Sequence, residues 1–135
     1  MEKDNIFFNM DEVYRNTQDP LFVVEGPLDS ISIGKNAVAL TGSDLSDFRI
    51  DALKRISSKR KIIFVLDKNL NGYKLGREVL DRRLGMVTTF PENIGDSNEA
   101  LKKLGKIWLS NHLISSPVDG FQGKVLLEMI KSNWT

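Results

Sequence analysis

Four short apolar segments of the sequence predict β-strands. The strongest covers residues 61–66, Lys-Ile-Ile-Phe-Val-Leu, where the hydrophobic positions are continuous rather than alternating. A continuous apolar run is typical of a parallel strand that is buried on both faces. Shorter runs predict further strands over residues 21–24, 36–40 and 86–90. The chain therefore supplies four strands for one sheet.

Apolar residues recur at helical spacing between these strands. One such face predicts a helix up to about residue 57 and consists of Leu45, Phe48, Ala52, Leu53 and Ile56. After a turn at Asn71-Gly72, a second helix is predicted up to Leu84, with Gly85 as its C-terminal cap. Further helices are predicted over residues 28–33, 97–104 and 106–114, and from residue 121 onward.

The lead-in to the first strand carries weaker signals. Residues 6–8 predict a short edge strand, Asn9 could cap a brief helix through Tyr14, and residues 41–44 predict a turn that caps the following helix. We divide the chain into a lead-in segment (1–20), an α/β core (21–105) and a helical extension (106–135).

The alternation of strands and helices indicates a mainly parallel sheet with helices on both faces and right-handed crossovers. The two terminal helices lie outside this repeating unit. They are expected to cover an edge of the sheet or to form a surface for a partner.

Composition excludes several kinds of site. The 135 residues include no cysteine and one histidine, His112, so a thiolate metal site is excluded and a histidine-based zinc site is unlikely. Net charge is +1, so nucleic-acid binding would depend on a local basic patch. No signal peptide is evident, and no apolar run approaches the roughly 20 residues that span a membrane. A cytoplasmic location is expected.

Acidic side chains follow three of the four predicted strands. Glu25 comes directly after the first strand, Asp67 after the third, and Asp96 lies in the loop after the fourth. Open α/β sheets bind ligands beyond the carboxyl ends of their strands. If the third strand pairs with the first on the side away from the second, Glu25 and Asp67 face each other across a switch point.

Converging carboxylates without histidine or cysteine suit a hard cation, Mg²⁺ or Mn²⁺. Such an ion would relieve the repulsion between the acids and could stabilise charge in phosphoryl or nucleotidyl transfer. The alternative is that these are solvated loop acids, with Asp29 a simple helix cap.

Three segments in order resemble the motifs of a Toprim domain, the α/β module of bacterial-type DNA primases, topoisomerases and several nucleases. Residues 21–29 have its opening form, a strand followed by Glu-Gly-x-x-Asp. Residues 64–72 resemble the second motif, a strand followed by Asp-x-Asp-x-x-Gly, and residues 95–100 resemble the Asp-x-Asn/Asp stretch that closes the site in primases. The sequence of residues 25–30, Glu-Gly-Pro-Leu-Asp-Ser, is most similar to phage replicative primases. If a phage encodes the chain, the expected location is the cytoplasm of the host cell. The resemblance covers roughly residues 6 to 104.

This resemblance implies a Rossmann-like three-layer fold and assigns roles to the acids. Glu25 would perform general acid/base work or bind metal, Asp67 would be the principal metal ligand, and Asp29 would support the site. Asp96 would be a further ligand. The family's second Asp in the Asp-x-Asp motif is Asn69 here, which offers a metal a carbonyl oxygen but no charge.

The implied function is Mg²⁺-dependent nucleotidyl transfer in RNA primer synthesis, with single-stranded DNA and nucleoside triphosphates as ligands. Neither a template-binding subdomain nor a zinc module fits in residues 1–20, so the chain would be one piece of a larger or split primase or a free-standing Toprim protein. A helicase or another primase fragment would then be a partner. The alternatives are a Toprim nuclease and a non-catalytic module that binds DNA or replication proteins.

A phosphoacceptor receiver domain has a similar length and sheet pattern, but it is a weaker alternative. That family needs an acidic pair after the first strand and a Lys-Pro pair late in the chain. Here Glu-Gly follows the first strand, and none of the four prolines follows a lysine.

Basic residues supply candidate contacts to nucleic acid or nucleotide. A run without acids consists of Lys54, Arg55, Lys59, Arg60 and Lys61, and it lies at the start of the third strand, opposite the proposed metal site. As phosphate contacts these residues would make binding salt-dependent; the alternative is a solvated helix end.

Two more basic candidates lie near Asp67. Arg77, in the helix after Asp67, is the best candidate to approach a nucleotide phosphate, and Lys68 is a further one. His112, Trp108 and Trp134 are interpreted as packing residues of the C-terminal helices.

Overall fold

A four-stranded parallel sheet forms the centre of the protein. The computed structural model describes residues 7–40, 45–91 and 93–132. The strands are β1 (Leu21–Val24), β2 (Ala37–Ala39), β3 (Ile62–Val65) and β4 (Met86–Thr88), in the spatial order β2-β1-β3-β4. The predicted parallel sheet is therefore confirmed, and β3 pairs with β1 on the side away from β2, as the switch-point argument required.

Six α-helices accompany the sheet in the described part of the chain. They are α1 (Pro27–Ile33), α2 (Asp47–Ser57), α3 (Leu70–Asp81), α4 (Ser97–Leu104), α5 (Lys106–Ser115) and α6 (Gly120–Ser132). A short 3-10 helix, Met10–Glu12, precedes β1. The bounds predicted for α4 match those observed, and α1 begins one residue earlier than predicted because proline is well suited to the first helical position.

The sheet separates two hydrophobic layers, because alternate residues of each strand point to opposite faces. On one face, Val23 and Phe64 pack with apolar residues of α2, α3 and α6. On the other, Phe22 and Ile63 pack with residues of α4 and α5. All four strand residues are buried. The result is the predicted three-layer α/β architecture.

Single antiparallel bridges cover both edges of the sheet. Phe8 exchanges two backbone hydrogen bonds with Ala39 on β2, at 2.8 and 3.1 Å, and Val118 exchanges two with Val87 on β4, at 2.8 and 2.9 Å. The edge strand predicted at residues 6–8 is thus a single bridge at Phe8, with residue 6 outside the described range. A residue of the lead-in segment and a residue of the helical extension therefore complete the two edges of the sheet.

The lead-in differs from its prediction at Asn9. Its backbone is left-handed, with φ 66°, and its side chain makes no cap to the 3-10 helix. Instead Asn9 Nδ2 donates to the Ala37 carbonyl at 3.1 Å. The predicted helix through Tyr14 is a three-residue 3-10 turn. The turn predicted at residues 41–44 lies outside the described residues.

Helix α3 starts earlier than the sequence indicated. The Asn71-Gly72 pair is not a turn but the second and third residues of the helix, which Asn69 caps. A Cβ atom at residue 72 would overlap the carbonyl oxygen of Asp67. Gly72 is therefore required by the close approach of α3 to the end of β3, and its sequence signal was misread as turn chemistry.

The C-terminal end of α3 was also predicted wrongly. The helix ends at Asp81, and Arg83 adopts the left-handed conformation, φ 54°, that a glycine usually takes after a helix. The Leu84 amide bonds to the Val79 carbonyl at 2.9 Å and closes a Schellman motif. Gly85 serves a different purpose, since a Cβ there would lie 2.5 Å from the Ile62 carbonyl oxygen.

Helix α6 packs closely along α3. A side chain at Gly76 would overlap Leu127, and a Cβ at Gly123 would lie 2.9 Å from Leu80 Cδ1. Small residues thus allow the two helices to approach, and the helical extension contributes to the same core as the strands. In the described part of the chain, no helix combines the length and apolar character needed to span a membrane.

Candidate active site

The acids predicted to form a site lie at the carboxyl ends of the parallel strands. Glu25 follows β1 and Asp67 follows β3 at the ends of neighbouring parallel strands. The backbone amide of Asp67 donates a hydrogen bond to Glu25 Oε2 at 2.9 Å. Both side chains are partly buried. The predicted juxtaposition across the switch point is therefore present, and we call the surface formed by Glu25, Asp29, Asp67 and Asp96 the acidic rim.

Asp29 connects the two helices that flank the rim. It lies in the first turn of α1 and is only 8% exposed. Its Oδ1 accepts a hydrogen bond from the backbone amide of Asn98 in α4, at 3.2 Å. Burial raises the pKa of Asp29, the Asn98 amide opposes that change, and the charge of Asp96 adds to it. Asp29 is thus a buried acid that holds α1 against α4.

Asp96 and Asn69 are the N-terminal caps of two helices at the rim. Asp96 Oδ1 accepts from the Glu99 amide at 2.8 Å and caps α4. Asn69 Oδ1 accepts from the Gly72 amide at 2.9 Å and caps α3. Asparagine and aspartate are about equally good at this position. The departure from Asp at residue 69 therefore preserves the start of α3 while removing one negative charge from the site.

The electrostatics of the rim are dominated by crowded carboxylates. The pKa of Asp67 is raised to about 8, first by burial and then by the negative charges of Glu25, Asp29 and Asp96. Burial also raises the pKa of Glu25, against the opposing effect of the Asp67 amide, and the charge of Asp29 raises it further. Several acids whose pKa values are raised in one place are characteristic of functional sites. The four acids interact electrostatically although they come from separate segments.

The donor set of the rim suits a hard divalent cation, but its spacing does not form a complete cage. In residues 7–40, 45–91 and 93–132, no three His, Cys, Asp or Glu side chains are grouped closely enough to hold a metal ion. Mg²⁺ commonly binds one or two carboxylates and completes its shell with waters and substrate phosphates. Glu25 and Asp67 fit that chemistry, since both offer carboxylate oxygens and both would be stabilised by a nearby positive charge.

The basic candidates do not gather at the rim. Arg77 is exposed on α3, eight residues past Asn69, which corresponds to about 12 Å along a helix axis. It lies over the ring of Tyr73, with 5.9 Å between Cζ and the ring centroid. Lys68 is next to Asp67, and its Nζ donates to the Pro91 carbonyl. Only Lys68 is immediately beside the acids.

The basic run lies at the opposite edge of the sheet, as the sequence indicated. Lys54, Arg55 and Lys59 are exposed there. Arg60 was predicted as a nucleic-acid contact, and this assignment is wrong because Arg60 is 4% exposed and its guanidinium hydrogen-bonds within the protein. Its guanidinium donates to the carbonyls of Glu12, Asp19 and Pro20 and to Asn36 Oδ1, at 2.7 to 3.4 Å. Arg60 therefore anchors the lead-in segment to the core.

Two polar features near the rim had no signal in the sequence. Ser97, 1% exposed at the start of α4, has an Oγ with no hydrogen-bond partner in the described structure. His112 stacks between Trp108 and Phe90, with ring centroids 4.7 and 5.4 Å away, and its Nε2 lies 2.6 Å from the Thr89 carbonyl oxygen. The packing role interpreted for His112 and Trp108 agrees with this geometry, whereas Trp134 lies outside the described residues. Only the three-dimensional approach of α5 to the end of β4 reveals it.

Comparison with known proteins agrees with the architecture. The family model described as Toprim-like matches residues 22–101. No curated protein matches the sequence significantly. Among solved structures, the DnaG catalytic core superposes with a TM-score of 0.64 at 18% identity, covering 99% of this chain and 53% of that one.

Two further primase structures are similar. The primase fragment of the bacteriophage T7 primase-helicase protein superposes with a TM-score of 0.59 at 17% identity, over 78% of this chain and 47% of that chain. The DnaG primase catalytic domain bound to single-stranded DNA gives a TM-score of 0.62 at 18% identity, over 99% and 53%. The chain spans about half the length of the solved chains it matches. At these identities the likeness concerns the fold.

Proposed function

Because the chain belongs to the Toprim-like family, we propose that it is the Toprim module of a primase-type enzyme. In this proposal it performs nucleotidyl transfer during RNA primer synthesis, on a single-stranded DNA template and with nucleoside triphosphates. The observation that carries the proposal is the Glu25–Asp67 pair, joined by the hydrogen bond from the Asp67 amide to Glu25 Oε2 at 2.9 Å. Burial and the negative charge of Glu25 raise the pKa of Asp67 to about 8, so both acids are ionised together only at a cost unless a cation is present.

Mg²⁺ or Mn²⁺ is the cofactor that these residues suit. We assign Glu25 and Asp67 as its main ligands and Asp96 as a further one. A bound Mg²⁺ or Mn²⁺ would supply positive charge that offsets the negative charge of the triphosphate during transfer. Asn69 could contribute only its amide oxygen, and that atom already accepts from Gly72. The metal site would therefore be weaker than one with an aspartate at residue 69.

Proton transfer and positioning are the roles that we assign to protein side chains. In the reaction, a 3′-hydroxyl oxygen bonds to the α-phosphorus of a triphosphate, and the bond to the leaving pyrophosphate breaks. We assign Glu25 Oε1 to accept the hydroxyl proton, because the Asp67 amide holds Oε2. Asp29 is a positioning residue that keeps α4, and with it Asp96, beside the pair.

We propose two classes of protein partner for this module, another primase fragment and a replicative helicase. One solved relative is bound to single-stranded DNA, and we propose the same class of ligand here. Lys68, beside the acids, and Arg77, along α3, are proposed contacts to nucleotide phosphates. Lys54, Arg55 and Lys59 remain proposed backbone contacts for a strand that reaches the opposite edge.

Asn69 favours one further candidate, a non-catalytic module that binds DNA or a replication protein through the same fold. Its side chain caps α3 and adds no charge for a metal. A Toprim nuclease would use the same acids, with water in place of the 3′-hydroxyl. The three functions differ in their requirement for metal, for triphosphates and for an acceptor strand.

The direct test is primer synthesis on a single-stranded template with Mg²⁺ or Mn²⁺, compared with cleavage of a labelled strand without triphosphates. Synthesis that is lost in Glu25→Gln and Asp67→Asn would support the primase proposal. Cleavage lost in the same variants would replace it with the nuclease. Strand binding that is indifferent to Mg²⁺, with neither activity even when a companion fragment is added, would favour the non-catalytic module.

Asn69→Asp provides a matched test of the metal site. Aspartate keeps the cap of α3, so the substitution changes charge without removing the helix start. We expect calorimetry to show Mg²⁺ binding that tightens by about tenfold, which corresponds to roughly 1.4 kcal/mol. Asn69→Ala, which removes the cap and the oxygen, serves as the control. Equal Mg²⁺ affinity in wild type and Asn69→Asp would exclude residue 69 from the metal site.

A further inference from the structure

A cavity of about 690 Å³ lies where the strands of the sheet begin, at the end opposite the acidic rim. The starts of β3 and β4 form its floor, and the ends of α2 and α3 and the start of α6 form its walls. Pockets for small molecules commonly have volumes of roughly 300–1,000 Å³. Asp119 and Gly120, which line it, lie beyond the residues that the family model matches. The cavity therefore depends on the helical extension of this chain.

Positive charge surrounds this cavity. Lys61 and Arg83 line it and are exposed. Arg60 adds the charge of a buried guanidinium, although its donors are engaged with the lead-in segment. Asp119 is the one acid among the described residues that line the cavity. The charge at the mouth of the cavity favours an anionic ligand.

The backbone at Arg83 is a second, independent feature. Its φ of 54° lies in the left-handed region, where a side chain is strained and glycine is preferred. Backbone strain of this kind concentrates at sites where a particular side chain is needed. An arginine at this position directs a cationic group to the cavity from the end of α3, at a site where glycine would fit the backbone better.

Apolar groups form the rest of the lining. Leu80 and Met86 are partly exposed there, above the buried side chains of Ile62 and Leu84. A free inorganic anion would gain nothing from such a wall, whereas a phosphate attached to a planar, largely apolar group would contact both parts. Phosphate on a nucleobase-bearing sugar has this combination.

We propose that this cavity binds a nucleotide, with its phosphate held by Lys61 and Arg83 and its base against Leu80 and Met86. The choice of a nucleotide among amphiphilic anions rests on the proposed function. The ligand is either a free nucleoside triphosphate or the phosphorylated end of a single strand, since both carry the same chemistry. This site is separate from the acidic rim and requires no metal.

The test is calorimetric titration of the full chain with ATP, and separately with a short 5′-phosphorylated oligothymidylate, in EDTA. Arg83→Gly removes the cation and relieves the strained backbone, so it should fold at least as well as the wild type. Lys61→Gln is the second variant, and Lys74→Gln, at an exposed lysine of α3 outside the cavity, is the matched control. We expect each cavity variant to weaken binding by about tenfold, as for loss of a hydrogen bond to a charged group.

If ATP binds and only the cavity variants weaken its binding, the result supports a free nucleotide as the ligand. If the oligonucleotide alone shows this pattern, the result supports the phosphorylated end of a strand as the ligand. The proposal is overturned if neither ATP nor the oligonucleotide binds to the wild type. It is also overturned if the wild type and both cavity variants bind with equal affinity. Binding lost in Asp67→Asn but kept in Arg83→Gly also overturns it, because that result locates the nucleotide at the acidic rim. Failure of primer synthesis leaves these outcomes unchanged, since the titration contains no divalent ion.

Discussion

Replacing Asp67 with Asn should stabilise the metal-free protein. Burial, and then the negative charges of Glu25, Asp29 and Asp96, raise the pKa of Asp67 to about 8 from the ordinary 3.8. The folded protein therefore binds a proton more tightly at this group than the unfolded chain does, so the free energy of unfolding falls as pH rises from about 4 to about 8. Asparagine has nearly the same shape and no charge. Its advantage over aspartate should grow through the same pH range.

The size of the effect follows from the shift. One pKa unit corresponds to about 1.4 kcal/mol, so the full displacement sets a ceiling of roughly 5 kcal/mol at pH 8. Water reaches the partly exposed carboxyl group and reduces this ceiling. We expect Asp67→Asn to raise the free energy of unfolding by about 2 kcal/mol at pH 8, and by clearly less at pH 5.

Urea unfolding at pH 5 and pH 8, with and without Mg²⁺, provides the measurement. Asp51→Asn, at an exposed acid of α2, is the matched control and should change stability by less than about 0.5 kcal/mol. Mg²⁺ should stabilise the wild type and leave Asp67→Asn unchanged, because ligand binding to the folded state alone adds stability. A variant that is less stable than wild type at pH 8 would refute the electrostatic account of the rim.

Two further predictions concern packing, and urea unfolding tests both. Gly72→Ala should destabilise the protein by about 3 kcal/mol because the added Cβ overlaps the Asp67 carbonyl oxygen. Gly95→Ala is the control and should be nearly neutral, because the space around Gly95 is open. Equal losses of stability in the two variants would show that α3 does not press on the end of β3. Arg60→Met should cost about 3 kcal/mol because several backbone carbonyls lose their donor, whereas Lys59→Met should have little effect. A neutral Arg60→Met would mean that the lead-in segment is held by other contacts.

The sequence predicted the arrangement of the site well because strand ends are marked by short-range signals. The continuous apolar run before Asp67 and the Val-Val pair before Glu25 indicated where parallel strands end, and parallel pairing then brought the two acids to one edge. The order of the strands was a condition of the switch-point argument, and the structure fulfils that condition. Each of these steps needed only local pattern and the geometry of a parallel sheet.

Long-range contacts account for the misread positions. Gly72 and Gly85 resemble turn and cap residues in sequence, yet each is required by a backbone that approaches from another element. Arg60 belongs to a basic run, but four acceptors distant in sequence surround its guanidinium. The left-handed Arg83 had no local signal, because arginine is not the residue that such a position prefers. Composition and spacing cannot identify partners that only the folded chain brings together.

The bridges at Phe8 and Val118 bear on where this protein can be cut. Both residues lie outside the segment that the family model matches, residues 22–101, yet each satisfies the backbone of an outer strand. A fragment trimmed to the matched segment would leave β2 and β4 with open hydrogen-bonding edges, and open edges recruit strands from other molecules. Expression of the trimmed fragment should therefore yield aggregates. We therefore expect that a fragment must extend from before Phe8 to beyond Val118 if both outer strands are to keep their backbone partners.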